Sequence, residues 1–202
     1  AWLLSTFDGD AGVWPVIPPD ANEFPHAPWW HDDGQGSLNR TFDGFIIIPR
    51  ALLVGLLHRF GQHVPTDWLD ALTRATVRSI EQADVLGTGG GSDLEYVVQL
   101  ARTDAVPLAF RERLAARLRA AIPEVVERDP NRWSTYCITP LRAVPAPDSI
   151  GSDLVASELQ QNLDFLIDRQ SPDGAWSPTW TFDYPEEWAS AWTEWRAIVT
   201  LE

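Results

Sequence analysis

Along most of the chain the apolar residues recur at helical spacing, not at the alternation of a strand. Leu52, Leu53, Leu56, Leu57 and Phe60 share one face of a helix-like run from Ala51 to Phe60. Trp68, Leu72, Ala75, Ile80 and Ala83 keep the same period in a run that Thr66 can cap and that reaches about Asp84. Ser92-Asp93-Leu94-Glu95 reads as a capping box opening a helix to about Thr103. Pro107 starts another, with Phe110, Leu114, Leu118 and Ala121 in register, and Pro123 is expected to interrupt it. Its other face carries Arg111, Arg113, Arg117 and Arg119 and reads as a solvated surface. Asp153 can cap a helix to Gln170 whose inward residues are Val155, Leu159, Leu163 and Leu166. Pro185 suits a first helical position, with Glu186 and Glu187 at the positive helix end. Trp188, Ala191, Trp192, Trp195, Ile198 and Val199 are the buried face expected there.

Two stretches break the pattern. Residues 15–39 are rich in proline and aromatics, and residues 129–149 hold Trp133, Tyr136 and several prolines. Loops of this length are usually functional or disordered, and Phe24, Trp29 and Trp30 argue against disorder. Residues 42–48 read as a short strand or extended arm. The run Gly87-Thr88-Gly89-Gly90-Gly91 lacks the lysine and preceding strand of a phosphate loop and reads as a connector.

One spacing occurs twice. Phe165-Leu166, three residues, Gln170, three residues, Gly174-x-Trp176 is matched near the start by Trp2-Leu3, three residues, Phe7, four residues, Gly12-x-Trp14. Phe7 replaces Gln170, and the turn is one residue longer. Two copies so far apart suggest a repeat architecture with degenerate units between them.

This spacing resembles the QW repeat of terpenoid cyclases, in the superfamily that includes the protein prenyltransferase beta subunits. Segments such as Pro25-His26-Ala27-Pro28-Trp29-Trp30-His31 are similar to bacterial prenyltransferase-repeat proteins. The resemblance implies an all-α fold, an α/α toroid of helical hairpins in two concentric rings around a central cavity. It implies a single toroid domain over residues 1–202, an incomplete ring truncated at one or both ends. It further implies an apolar, isoprenoid-type ligand. The basic-small pair that begins many such repeats is replaced by Gln161-Asn162. The superfamily's catalytic motifs do not carry over. Asp8-Gly9-Asp10 and His31-Asp32-Asp33 do not fit the Asp-x-Asp-Asp acid, Asp32-Asp33 is followed by Gly-Gln-Gly, and Thr135 stands where a zinc-site aspartate would precede Cys137.

Composition narrows the partners. A formal net charge of −14, with all 15 basic residues arginine, argues against nucleic acid and anionic membranes. No apolar run is long enough to span a bilayer. A single cysteine excludes an internal disulfide and a cysteine metal cluster, and fits a reducing, cytoplasmic setting. Neither a cofactor nor an oligomeric state is specified.

The candidate site is the first irregular loop, where no periodicity demands its residues. His31 with Asp32 or Asp33 can act as acid and base, or hold a divalent ion, or the carboxylates can simply cap a following element. No metal is assigned. Asp32, Asp33 and His31 are the candidate catalytic residues, and Trp29, Trp30, Trp133 and Tyr136 the candidate cavity wall, since a tryptophan face stabilises a cation. His26, flanked by prolines, reads as a rigid turn residue with a role beside His31 left open. Cys137 reads as a small buried residue. Two further readings stay open: a carbohydrate-active α/α toroid using carboxylates and tryptophan platforms, and a binding or scaffold domain without chemistry.

Overall fold

In the computed structural model, residues 2–14, 17, 20–27, 30–35, 47–87, 92–179 and 189–201 are described. Trp29, most of the expected strand at 42–48, the centre of the Gly87–Gly91 connector, and Pro185, Glu186, Glu187 and Trp188 lie outside them. The described residues form eight α-helices and no strand. These are α1 (Trp2–Ser5), α2 (Arg50–Arg59), α3 (Thr66–Gln82), α4 (Ser92–Arg102), α5 (Leu108–Val125), α6 (Pro140–Ala143), α7 (Ala156–Asp168) and α8 (Ala189–Leu201). The chain divides into two compact units, residues 1–121 and 122–202.

In the first unit α2 packs on α3 and α4. The α3 stripe Leu69, Leu72, Thr73, Thr76, Val77 and Ile80 is buried at i, i+3, i+4 spacing, as an amphipathic helix requires. Ala75 and Trp68 stand outside it, the first exposed and the second half-buried. The two buried threonines are satisfied within the helix: Thr73 donates to the Leu69 carbonyl at 2.7 Å and Thr76 to that of Leu72 at 2.8 Å. On α2 the buried residues are Arg50, Ala51, Val54, Gly55 and Leu57, while Leu56 and, just past the helix, Phe60 are exposed. The small residues decide this face, because α4 comes close: a Cβ on Gly55 would lie 3.2 Å from Thr103 Oγ1.

The expected caps are corrected at two helices. Pro65 occupies the N-cap of α3 and Thr66 is already helical; Val155 precedes α7, and Asp153 sits in a one-turn 3-10 helix, Ser152–Leu154. Neither helix start receives a side-chain cap hydrogen bond. At α4, Asp93 turns backward: its carboxylate accepts from the Gly87 backbone N–H at 2.9 and 3.1 Å, fastening the preceding connector. Pro123 does not end α5, which runs on to Val125. So near the C-terminus the missing N–H removes a single ladder bond, and Val126 still donates to the Ile122 carbonyl.

The arginine face of α5 is at the surface, with Arg113 and Arg119 exposed, and three of its arginines also fasten neighbouring segments. Arg113 grips Glu81 with two hydrogen bonds, 2.8 and 2.5 Å, and Arg117 donates to the Ala83 carbonyl at 2.9 Å, tying α5 to the end of α3. Arg111 pairs with Asp104 at 2.9 Å.

The second unit is built on Ile122, Val126, Trp133, Ile138, Ala143, Val144 and Val155. The residue of α7 that is buried is polar, Asn162; its Oδ1 accepts from the Leu141 N–H at 3.1 Å and so caps the start of α6 from another helix. Leu163 and Ile167, one turn apart on α7, are exposed, as are Trp195 and Ile198 on α8. The inward face expected on α8 is thus used in part: Ala191, Trp192 and Val199 are half-buried. Arg196 and Thr200 of α8 hold the corner that follows α7.

Candidate functional site

The two copies of the repeated spacing fold into the same joint. In the first, Trp14 Nε1 donates to the Leu3 carbonyl at 2.7 Å, Asp8 N to the Val13 carbonyl at 2.9 Å, and Gly12 N to the Asp8 carbonyl at 2.7 Å. In the second, Trp176 Nε1 donates to the Leu166 carbonyl at 2.7 Å, Ser171 N to Ala175 at 2.9 Å, and Gly174 N to Ser171 at 2.8 Å. Gly12 and Gly174 both take positive φ, +70° and +85°, the conformation that lets each turn close. The copies differ where the sequences differ. Gln170 donates to the Gly174 carbonyl at 2.9 Å, inside its own turn. Phe7, its counterpart, packs its ring on Trp14 with centroids 4.7 Å apart. A polar brace in one corner is an aromatic brace in the other.

Each joint is fastened by an arginine. Arg196 holds both oxygens of Asp173 at 2.7 and 2.8 Å, and that hydrogen bonding keeps the Asp173 carboxyl below its ordinary value. Arg50, only 4% exposed, donates to the Gly12 carbonyl at 2.7 Å and to Ser79 Oγ at 2.6 Å, clipping the first corner to α3. Burial pushes its pKa down. Sequence reading missed Arg50; an arginine at the polar edge of an apolar run gives no sign of a carbonyl arriving from residue 12.

The loop that follows the first corner carries the candidate chemistry. A one-turn 3-10 helix, Ala21–Glu23, presents Asn22, which clamps the loop's far side. Asn22 Nδ2 donates to the Asp32 carbonyl at 2.6 Å and Asp32 N donates to Asn22 Oδ1 at 3.0 Å, a two-bond pairing like that between strands. The clamp brings two histidines together. His26 Nδ1 lies 2.6 Å from the Phe24 carbonyl, and His26 Nε2 lies 3.2 Å from His31 Nδ1. His26, read as a turn residue, is thus His31's partner. The signal was the proline on each side of it, which stiffens the return of the chain.

The carboxylates behave as turn formers. Asp32 Oδ1 accepts from Gly34 N at 2.9 Å and Asp33 Oδ1 from Gln35 N at 2.8 Å, the Asx pattern that closes tight turns. His31 and Asp33 are exposed, and Asp32 and Trp30 half-buried. Among the described residues no three His, Cys, Asp or Glu side chains converge as a metal site requires.

Trp133 and Tyr136 belong to the second unit. Trp133 is 1% exposed, donates Nε1–H to the Glu127 carbonyl at 2.7 Å and meets Phe165 edge-on at 5.5 Å. That is the placement of a core residue, with no face turned to a ligand. Tyr136 is 68% exposed. Cys137 is half-buried, and burial raises its thiol pKa. No family model, curated protein or solved structure matches this chain.

Proposed function

We propose that the chain is a helical toroid of the terpenoid cyclase and prenyltransferase kind that binds a small apolar molecule of isoprenoid type. The observation that carries the reading is the pair of matched corners. Two segments more than 160 residues apart close with the same three backbone and indole hydrogen bonds, as repeating joints of such a ring would. The loop over residues 20–35 is the ligand's polar contact, with His31, Asp32 and Asp33 as its hydrogen-bonding groups and Trp29 and Trp30 as its aromatic wall. Because both carboxylates already close turns, they order the loop rather than protonate an alkene. Binding, with His31 as a hydrogen-bonding group, is favoured over cyclisation.

The test is a titration of the purified chain with farnesol, followed by tryptophan fluorescence and by calorimetry. Saturable binding is expected, weakened about tenfold by Trp30→Ala, a loss of about 1.4 kcal/mol. Absence of saturation up to the probe's solubility, with an oligosaccharide binding in its place, would transfer the reading to a carbohydrate-active toroid. If neither binds, the chain is a scaffold.

A further inference from the structure

We infer that His26 and His31 form one wired pair, in which His26 fixes the tautomer of His31 and leaves His31 Nε2 as a hydrogen-bond acceptor offered to a ligand. A carbonyl only accepts, so the 2.6 Å contact between His26 Nδ1 and the Phe24 carbonyl places a proton on Nδ1. With the ring neutral, His26 Nε2 then has a lone pair and no proton. The 3.2 Å approach of His31 Nδ1 to that lone pair is a hydrogen bond only if His31 supplies the proton from Nδ1. Ring centroids 5.4 Å apart and planes 15° apart put the two nitrogens between the rings, edge to edge, as such a bond needs. The remaining nitrogen, His31 Nε2, must therefore be the unprotonated one. A histidine side chain free in water favours the opposite, Nε2–H tautomer, so this selection is a property of the loop. The Asn22 clamp across Asp32 holds the two histidines at this separation.

The wiring defines the ligand group. An accepting Nε2 pairs with a donor, which on an apolar molecule means a hydroxyl; this step rests on the isoprenoid reading above. A proton taken up at Nε2 leaves the bond to His26 in place and makes it charge-assisted. His26 is a positioning residue here, since it touches His31 and not the ligand.

Long-range proton–nitrogen NMR on the ligand-free chain reads the tautomers directly. Above the range in which histidines titrate, His26 and His31 are both expected as Nδ1–H. His58 is the internal control: it donates Nε2–H to Thr73 Oγ1 at 2.8 Å, because Thr73 spends its own proton on the Leu69 carbonyl. His26→Phe removes the acceptor, and His31 is expected to revert to mainly Nε2–H; His26→Gln returns an acceptor oxygen and restores Nδ1–H. An unchanged His58 signal shows that a variant is folded. Wild-type His31 found as Nε2–H, or a His31 tautomer indifferent to His26→Phe, would overturn the assignment. Farnesol is further expected to perturb His31 Nε2 where its methyl ether does not, and equal perturbation by the two would overturn the donor preference. A failure of both probes to bind strikes at the isoprenoid reading alone, because the tautomers are read without ligand.

Discussion

Gly151 and Gly174 share a backbone conformation and differ in what surrounds it. Both have φ above +80°, where a side chain costs about 1–2 kcal/mol. Around Gly174 there is open space, but a Cβ on Gly151 would lie 2.8 Å from Ile122 Cδ1. Gly174→Ala is expected to cost the conformational strain alone, and Gly151→Ala clearly more, in urea unfolding of the two variants. Equal losses would mean that Ile122 yields without cost. His58 gives a pH prediction. Burial lowers its pKa, with Asp70 pulling the other way. The unfolded chain therefore binds a proton at a pH where the folded chain does not. Stability is full above the unfolded histidine value, declines as pH falls through it, and stops declining below the folded value. Unfolding midpoints measured across that window should fall in the wild type and flatten in His58→Gln. At this scale sequence showed which residues were unusual but not their tasks. Asp32 and Asp33 stood out as acid–base partners for His31 because no periodicity explained them. Their turn bonds to Gly34 and Gln35 depend on local dihedral angles that a residue string does not display.

At the scale of elements, the joint is the unit that matters. The indole N–H of Trp14 and that of Trp176 do the same work at 2.7 Å, each satisfying a leucine carbonyl at a helix end. Trp14→Phe and Trp176→Phe are each expected to cost about 1 kcal/mol, measured by chemical unfolding, since each removes one part-buried indole–carbonyl hydrogen bond. A loss at one corner and none at the other would break the equivalence. Gln170→Ala should cost less than Trp176→Phe, because its bond lies on an exposed turn. Helices were the legible part of this sequence: α3, α4 and α5 follow from apolar period and from Pro107. Faces were less legible. In α2 the buried side is chosen by Gly55 and its neighbour Thr103, and in α7 by Asn162 reaching Leu141. Both are tertiary contacts that override the local apolar count.

At the scale of the whole molecule, the all-helical character follows from the sequence, and no helix among the described residues is long and apolar enough to cross a membrane. The corner spacing was legible because it fixes a short-range geometry of turn, glycine and indole. The placing of α8 was not, because Arg196 and Thr200 reach back to Asp173 and Trp176 by contacts that no periodicity encodes. On the function proposed above, the matched joints are repeating units and the wired histidines of the loop are what an apolar ligand's hydroxyl would meet. The most direct measurement is a crystal structure of the chain with farnesol. The predicted result is the isoprenoid chain enclosed among helices with its hydroxyl within hydrogen-bond distance of His31 Nε2. Farnesol bound without any contact to His31 would contradict it.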